Sequence, residues 1–196
     1  MIKKLNPNLY QITFRRFGSC VYLRKIEDEW IVFDTGTRWN RSELKKDLEE
    51  LNIKPEEVKK VILTHNHFDH TGNISIFKNA EVYGSVIDFK EKKLNKPFLG
   101  FLAEGIEETN DVDPKKIIPL EKLKVKAMEI IETPGHTKGG VCFYFPKDKI
   151  LISGDTIFGR GIIGRTDLPN SEPEKMQDSL DKLEKLDVEV LCAGHV

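Results

Sequence analysis

Along residues 9–34 apolar positions alternate with polar ones or crowd into short runs. LYQITF, SCVYLRKI and EWIVFDTG are rich in β-branched and aromatic side chains, and they predict three strands separated at Arg16–Gly18 and Glu27–Glu29. The period then changes. Leu44, Leu48 and Leu51 share one stripe and predict a helix over 41–51, with Asn40 as N-cap and Glu43 three positions on. VKKVILTH predicts a buried strand, Val61 to Thr64, that ends at His65, with a helical turn over Asp69–Ile74 and a further strand at Glu81–Gly84. Over 85–115 the pattern is broken by Asn95, Pro97, Gly100 and Gly105. A helix and a loop are expected there, with Phe98 and Phe101 as pocket wall or core. KAMEIIETPG, VCFYFP and KILISGD return to strands. Ser171 and Glu174 form a capping-box pattern before a helix expected to bury Met176, Leu180, Leu183 and Leu186, and VEVLCAG is the last strand. Two similar sets, strands first and helix last, imply an α/β sandwich: two sheets face to face, helices outside, in one domain over 1–196.

Composition narrows the function. A chain with 39% hydrophobic and 32% charged residues can build a core, so disorder is excluded as a reading. The net charge of −1 argues against a dedicated nucleic-acid binder. MIKKLNPNLY has no apolar run behind its lysines, and no stretch approaches the ~18 apolar residues of a membrane span. Cys20, Cys142 and Cys192 are odd in number and form no CxxC, which fits a reducing cytoplasm better than a disulfide framework.

The chemistry concentrates in THNHFDH, residues 64–70. On extended chain His65 and His67 point the same way, so both imidazoles can reach one ion. Asp69 and His70 follow where the chain turns, and would face a second position. HxH alone is weak, but the chain has only five histidines and each sits at or just past a strand end. His136 lies in TPGHTKGG and His195 in CAGH, while Asp155 ends SGD. Imidazole and carboxylate suit zinc or similar ions, with iron or manganese as alternatives. Seven donors suit two ions, with Asp155 the economical bridge. Two ions about 3.5–4 Å apart lower the pKa of water to roughly 7 and supply a nucleophile without a Ser or Cys. GRGIIG (159–164) matches a dinucleotide fingerprint, but Arg165 to Pro169 behind it do not read as a helix, so it is taken as a loop beside the metals.

HxHxDH, a distant His after Pro-Gly, GD and a final GH resemble the metallo-β-lactamase superfamily, in order and spacing, from Asp34 to His195. The resemblance implies a metallo-β-lactamase-like αββα sandwich. It places His65, His67 and His136 on one metal and Asp69, His70 and His195 on the other, with Asp155 between them. It also gives Asp34, in FDTG, the task of supporting the metal loop from behind.

Within that family the loop IGRTDLP (163–169) resembles short glyoxalase II-like hydrolases and also persulfide dioxygenases. Full glyoxalase II carries Gly-Lys-Phe-Tyr near this position and an extra helical domain, where this chain has Gly164-Arg165-Thr166-Asp167. Relatives usually continue past the final His with a helix, and here one residue follows it. Either the chain goes on beyond the sequence or the second metal is held loosely. The leading expectation is hydrolysis of a thioester or related acyl ester of a small-molecule substrate. A bridging hydroxide would attack, Asp69 orienting it, with Arg165 or, less strongly, Lys138 meeting a substrate carboxylate. The alternative is a mononuclear iron persulfide dioxygenase using His65, His136 and Asp155. A metal-stabilised protein without turnover is the third reading.

Overall fold

A computed structural model describes residues 1–90 and 113–196. Strands β1 (Ile2–Asn6), β2 (Leu9–Ile12), β3 (Val21–Ile26) and β4 (Glu29–Phe33) form an antiparallel meander. β5 (Val58–Ile62), β6 (Glu81–Gly84) and β7 (Ile118–Pro119) extend it in parallel, in chain order. A second sheet has the order β11-β10-β9-β8, from β8 (Glu129–Glu132), β9 (Val141–Phe145), β10 (Ile150–Gly154) and β11 (Val190–Ala193). Its β10–β11 pair is parallel and the others antiparallel, so both sheets are mixed.

Each parallel step needs a crossover, and the helices supply it. Helix α1 (Arg41–Glu50) joins β4 to β5, and α4 (Pro173–Leu183) lies between β10 and β11. The short α2 (Phe68–Thr71) and α3 (Val86–Lys90) follow β5 and β6. Period-2 alternation sends Tyr22, Ile31 and Phe33 inward to meet Phe143, Phe145 and Ile152 of the facing sheet. Phe33 packs 5.4 Å from Phe143, centroid to centroid. The opposite faces are covered too. Val21, Leu23 and Val32 lie under Leu44 and Leu48 of α1, and Cys142, Tyr144 and Leu151 under Leu183 of α4. Both faces of the central strands are therefore dry, which is why β3 and β9 read as nearly continuous apolar runs. The expected αββα sandwich is the fold.

Details differ from the sequence reading. β1 and β7 were not expected. The strand before His65 starts at Val58 and ends at Ile62, and the turn after His67 is a four-residue helix followed by a 3-10 turn at Ile74–Ile76. Asn40 stands at the N-cap of α1 as expected, but its side chain donates to the carbonyl of Phe17 (3.1 Å) instead of capping; Ser171 lies one residue before the N-cap of α4, Glu172, and donates to the carbonyl of His136 (2.8 Å). In α4 Met176 and Leu183 are buried as expected, but Leu180 and Leu186 are only half-buried and Ser179 is buried with them. Phe98 and Phe101 lie outside the described residues.

Candidate metal centre

Strands β4, β5, β8, β10 and β11 all deliver their C-terminal ends to one edge of the sandwich. The loops after them carry Asp34, His65 to His70, His136, Asp155 and His195 respectively. The seven sequence-selected donors meet there. Three groups have donor atoms that lie within 4.8 Å of one another: His65, His67 and His136; His65, His70 and Asp155; and Asp69, His70 and His195.

In the first group His65 Nε2 and His136 Nε2 lie 3.0 and 2.9 Å from His67 Nδ1. One N–H cannot serve two neighbours this close, and the ring atoms behind show which nitrogens keep lone pairs. His136 Nδ1 donates to the carbonyl of Arg165 (2.7 Å), leaving Nε2 as an acceptor. His67 Nε2 lies 3.4 Å from Asn170 Oδ1, and His65 Nδ1 3.0 Å from Thr64 Oγ1. Burial holds His65 well below the usual imidazole range, helped by His70, and lowers His67 to about 4. Both rings are neutral at pH 7, the state in which imidazole binds metal.

The second group is richer in charge. His70 Nδ1 donates to Asp34 Oδ2 (2.8 Å), which turns Nε2 toward Asp155 Oδ1 (3.3 Å) and Asp69 Oδ2 (3.9 Å). His195 Nε2 lies 3.2 Å from Asp69 Oδ2 and 3.5 Å from Asp155 Oδ2, and His136 Nε2 is also 3.5 Å from Asp155 Oδ2. Asp155 therefore faces both groups. Burial opposes charge on Asp69, His70, Asp155 and His195, but mutual attraction outweighs it. Asp155 and Asp34 hold His70 well above its usual range, and His195 is raised to about 9. His70 holds the carboxyls of Asp69 and Asp155 below theirs.

This arrangement fits divalent cations. His70 Nε2 and Asp155 Oδ1 are buried and face each other at 3.3 Å, but neither makes a well-aligned hydrogen bond. Such orphans are rare in folded proteins unless an ion or water serves them. Carboxylates strong enough to keep a proton on His70 and His195 would hold a cation in its place. Asp34 takes the supporting place expected of it. Its Oδ1 accepts from Thr64 N (2.9 Å) and its Oδ2 from Thr64 Oγ1 (2.8 Å), besides His70.

Glycines let the backbone close on Asp155. A Cβ at Gly164 would lie 1.9 Å from the Asp155 carbonyl oxygen, and one at Gly194 2.0 Å from its Oδ1. The GRGIIG run opens no α-helix: Gly159–Gly161 form a single 3-10 turn, and Ile163 pairs back with Ile157. The guanidinium of Arg165 forms two hydrogen bonds to Asp167, of 2.9 and 2.8 Å, so Arg165 meets the centre through its carbonyl. Lys138 lines a separate cavity of about 350 Å³ with Glu121 and Glu132.

Sequence reading passed over three features. Asn170, buried behind His67, carried no signal beyond its loop. Asp88 is a lone carboxylate in the apolar VIDF run, buried between two ligand loops. An apolar rim also surrounds His195. Phe17 stacks on its ring (5.7 Å between centroids) and Phe158 lies 6.1 Å away, while Phe68 touches both Phe17 and Trp39. Phe17, Ile162, Trp39 and Ile163 are exposed large hydrophobics.

Residues 13–195 match the family model of the metallo-β-lactamase superfamily, and the chain belongs to that family. A probable metallo-hydrolase of Methanocaldococcus jannaschii is 34% identical over 84% of this chain and 82% of its own length. A hydroxyacylglutathione hydrolase of an Enterobacter species is 30% identical over 86% of this chain, but only 58% of that enzyme is covered. The solved structure of TTHA1623 in a di-iron-bound form superposes with a TM-score of 0.75 and 25% identity, covering 95% of this chain and 91% of that one. The chain is thus a metallo-hydrolase-family protein with a donor set for divalent metal.

Proposed function

We propose that the chain is a binuclear metal-dependent hydrolase of thioesters or related acyl esters, with residues 1–196 acting as one domain. The observation that carries this reading is Asp155, whose Oδ1 faces His70 while its Oδ2 faces both His136 and His195. His65, His67 and His136 would hold one ion, Asp69, His70 and His195 the other, and Asp155 both. Divalent ions in such a pair lower the pKa of water and polarise a carbonyl oxygen.

The chain's own residues supply the rest. Asp69, kept ionised by His70 and His195, is an acceptor able to orient the attacking water and take up its proton. Asp34 holds His70 in one ring orientation. The apolar rim would seat a hydrophobic part of the substrate beside the scissile bond and keep bulk water away. The hydroxyacylglutathione hydrolase among the relatives supports the acyl-thioester class. Zinc is the proposed ion, with iron or manganese next. A reducing cytoplasm is the proposed location, a reading that the three free, buried cysteines support.

The closeness of His136 Nε2 to Asp155 Oδ2 also assembles the two-histidine, one-carboxylate set of a mononuclear iron dioxygenase. Elemental analysis of protein purified without added metal or chelator separates the two. About two ions per chain and turnover in a thioester panel are expected. About one iron, with oxygen uptake on a persulfide and no thioester cleavage, would replace the hydrolase reading with the dioxygenase one.

A further inference from the structure

The two loops that make the three-histidine group come from different sheets, so something must fix the gap between them. Asp88, in the first turn of α3, sits in that gap and is 1% exposed. Its Oδ2 accepts from the backbone N–H of Asn66 (3.3 Å), the residue between His65 and His67. The same oxygen accepts from Thr137 Oγ1 (2.8 Å), next to His136, and Oδ1 accepts from the N–H of Gly139 (2.7 Å). The Asp88 carbonyl accepts from Asn66 Nδ2 (3.0 Å). A Cβ at Gly139 would lie 2.8 Å from Asp88 Oδ1 and 2.3 Å from Ser85 Oγ, so a side chain there would have to displace one of them.

We propose that Asp88 is a positioning residue that sets how closely the His136 loop sits against the His65–His67 loop. This rests on the reading that His65, His67 and His136 hold one ion. The hydrogen bonds of Asp88 go to the ligands' chain neighbours, so it acts on where the rings stand rather than on the ion. Metal sites tolerate about 0.5 Å of misplacement. The three nitrogens stand 2.9 and 3.0 Å apart, which leaves little room for either loop to drift. Both carboxylate oxygens face backbone N–H donors. An amide in their place would turn an NH₂ toward one of them, and that loop would move off.

The test is zinc affinity by chelator competition in a His195→Ala background, which weakens the other group. It is read beside the melting temperature of the metal-free chain and the imidazole ¹⁵N signals of His67 and His136. Asp88→Asn and Thr137→Val should each weaken zinc binding about tenfold or more, the usual effect of disturbing the groups behind a metal site. They should also shift the His67 or His136 ring signals without metal. Thr137→Ser, which keeps the hydroxyl, should bind like the parent. Parental affinity in Asp88→Asn overturns the proposal. So does Thr137→Ser binding no better than Thr137→Val, since the loss would then follow general destabilisation. If the parent binds no zinc, the site reading fails, and unchanged ring signals in metal-free Asp88→Asn would sink the positioning role separately.

Discussion

Asp34 stands at φ 54°, a left-handed conformation uncommon for residues other than glycine, and its contacts hold it there. Three hydrogen bonds do so here, two from Thr64 and one from His70. The strain is thus tied to the orientation of a candidate ligand. Asp34→Asn keeps the shape but presents an amide NH₂ to one of those donors. It should cost about 1–3 kcal/mol of stability in urea unfolding, the penalty of a buried unpaired group. It should weaken metal binding by about 10- to 100-fold in calorimetric titration. Wild-type affinity in this variant would remove Asp34 from the metal's support. The histidines and carboxylates that meet at the centre were legible because each follows a strand, and five strand ends converge on one edge. Asp88 and Asn170 were not, because a single buried polar side chain has no periodic signature in sequence. Their partners lie 22 to 103 positions away.

Two loops and two short helical turns build the rim around His195. Phe17 comes from the β2–β3 loop, Trp39 from the 3-10 turn before α1, Phe68 from α2, and Phe158 from the segment after β10. Solvent-facing aromatic rings collected beside a polar centre mark a surface that works by contact with something apolar. Phe17→Ala should lower kcat/KM about tenfold for thioesters with a long or aromatic acyl group, since about 1.5 kcal/mol of apolar contact is lost. It should leave acetyl thioesters nearly unchanged. An equal loss on both would mean that Phe17 only shapes the loop. The capping residues show why element boundaries were harder to read than elements. Asn40 and Ser171 have the right chemistry to cap helices, and Asn40 the right position, yet the loops carrying Phe17 and His136 take their hydrogen bonds. A local signal lost to a tertiary one. β1 has no sequence signal for another reason: IKKLN lies on the sheet edge with no fully buried residue, so it lacks an apolar pattern.

At the scale of the whole molecule, two sheets converge on a centre where three carboxylates and five imidazole rings meet. Its charge balance should make stability depend on metal and pH together. Ions that bind only the folded chain stabilise it by about 2.7 kcal/mol at a hundred times their dissociation constant. For a chain of this size that raises the melting temperature by roughly 5–10 °C. Chelation should remove this shift, and His195→Ala should remove part of it. The pH dependence follows from His195, which in the metal-free chain is raised to about 9 by Asp155 and Asp69. A folded-state value above the unfolded one means that its contribution is fully present below about pH 6.5 and lost as pH rises through 9. His70 is shifted in the same direction. Ion binding must expel these protons, so apparent metal affinity rises over the same interval. The metal-free chain therefore weakens with alkalinity while the metal-bound chain holds. The gap between their melting temperatures should widen from pH 6.5 to 9 in paired scanning-fluorimetry curves. A gap that stayed constant or narrowed would mean that His195 and His70 keep their protons with metal present, and the second ion would have to be placed elsewhere.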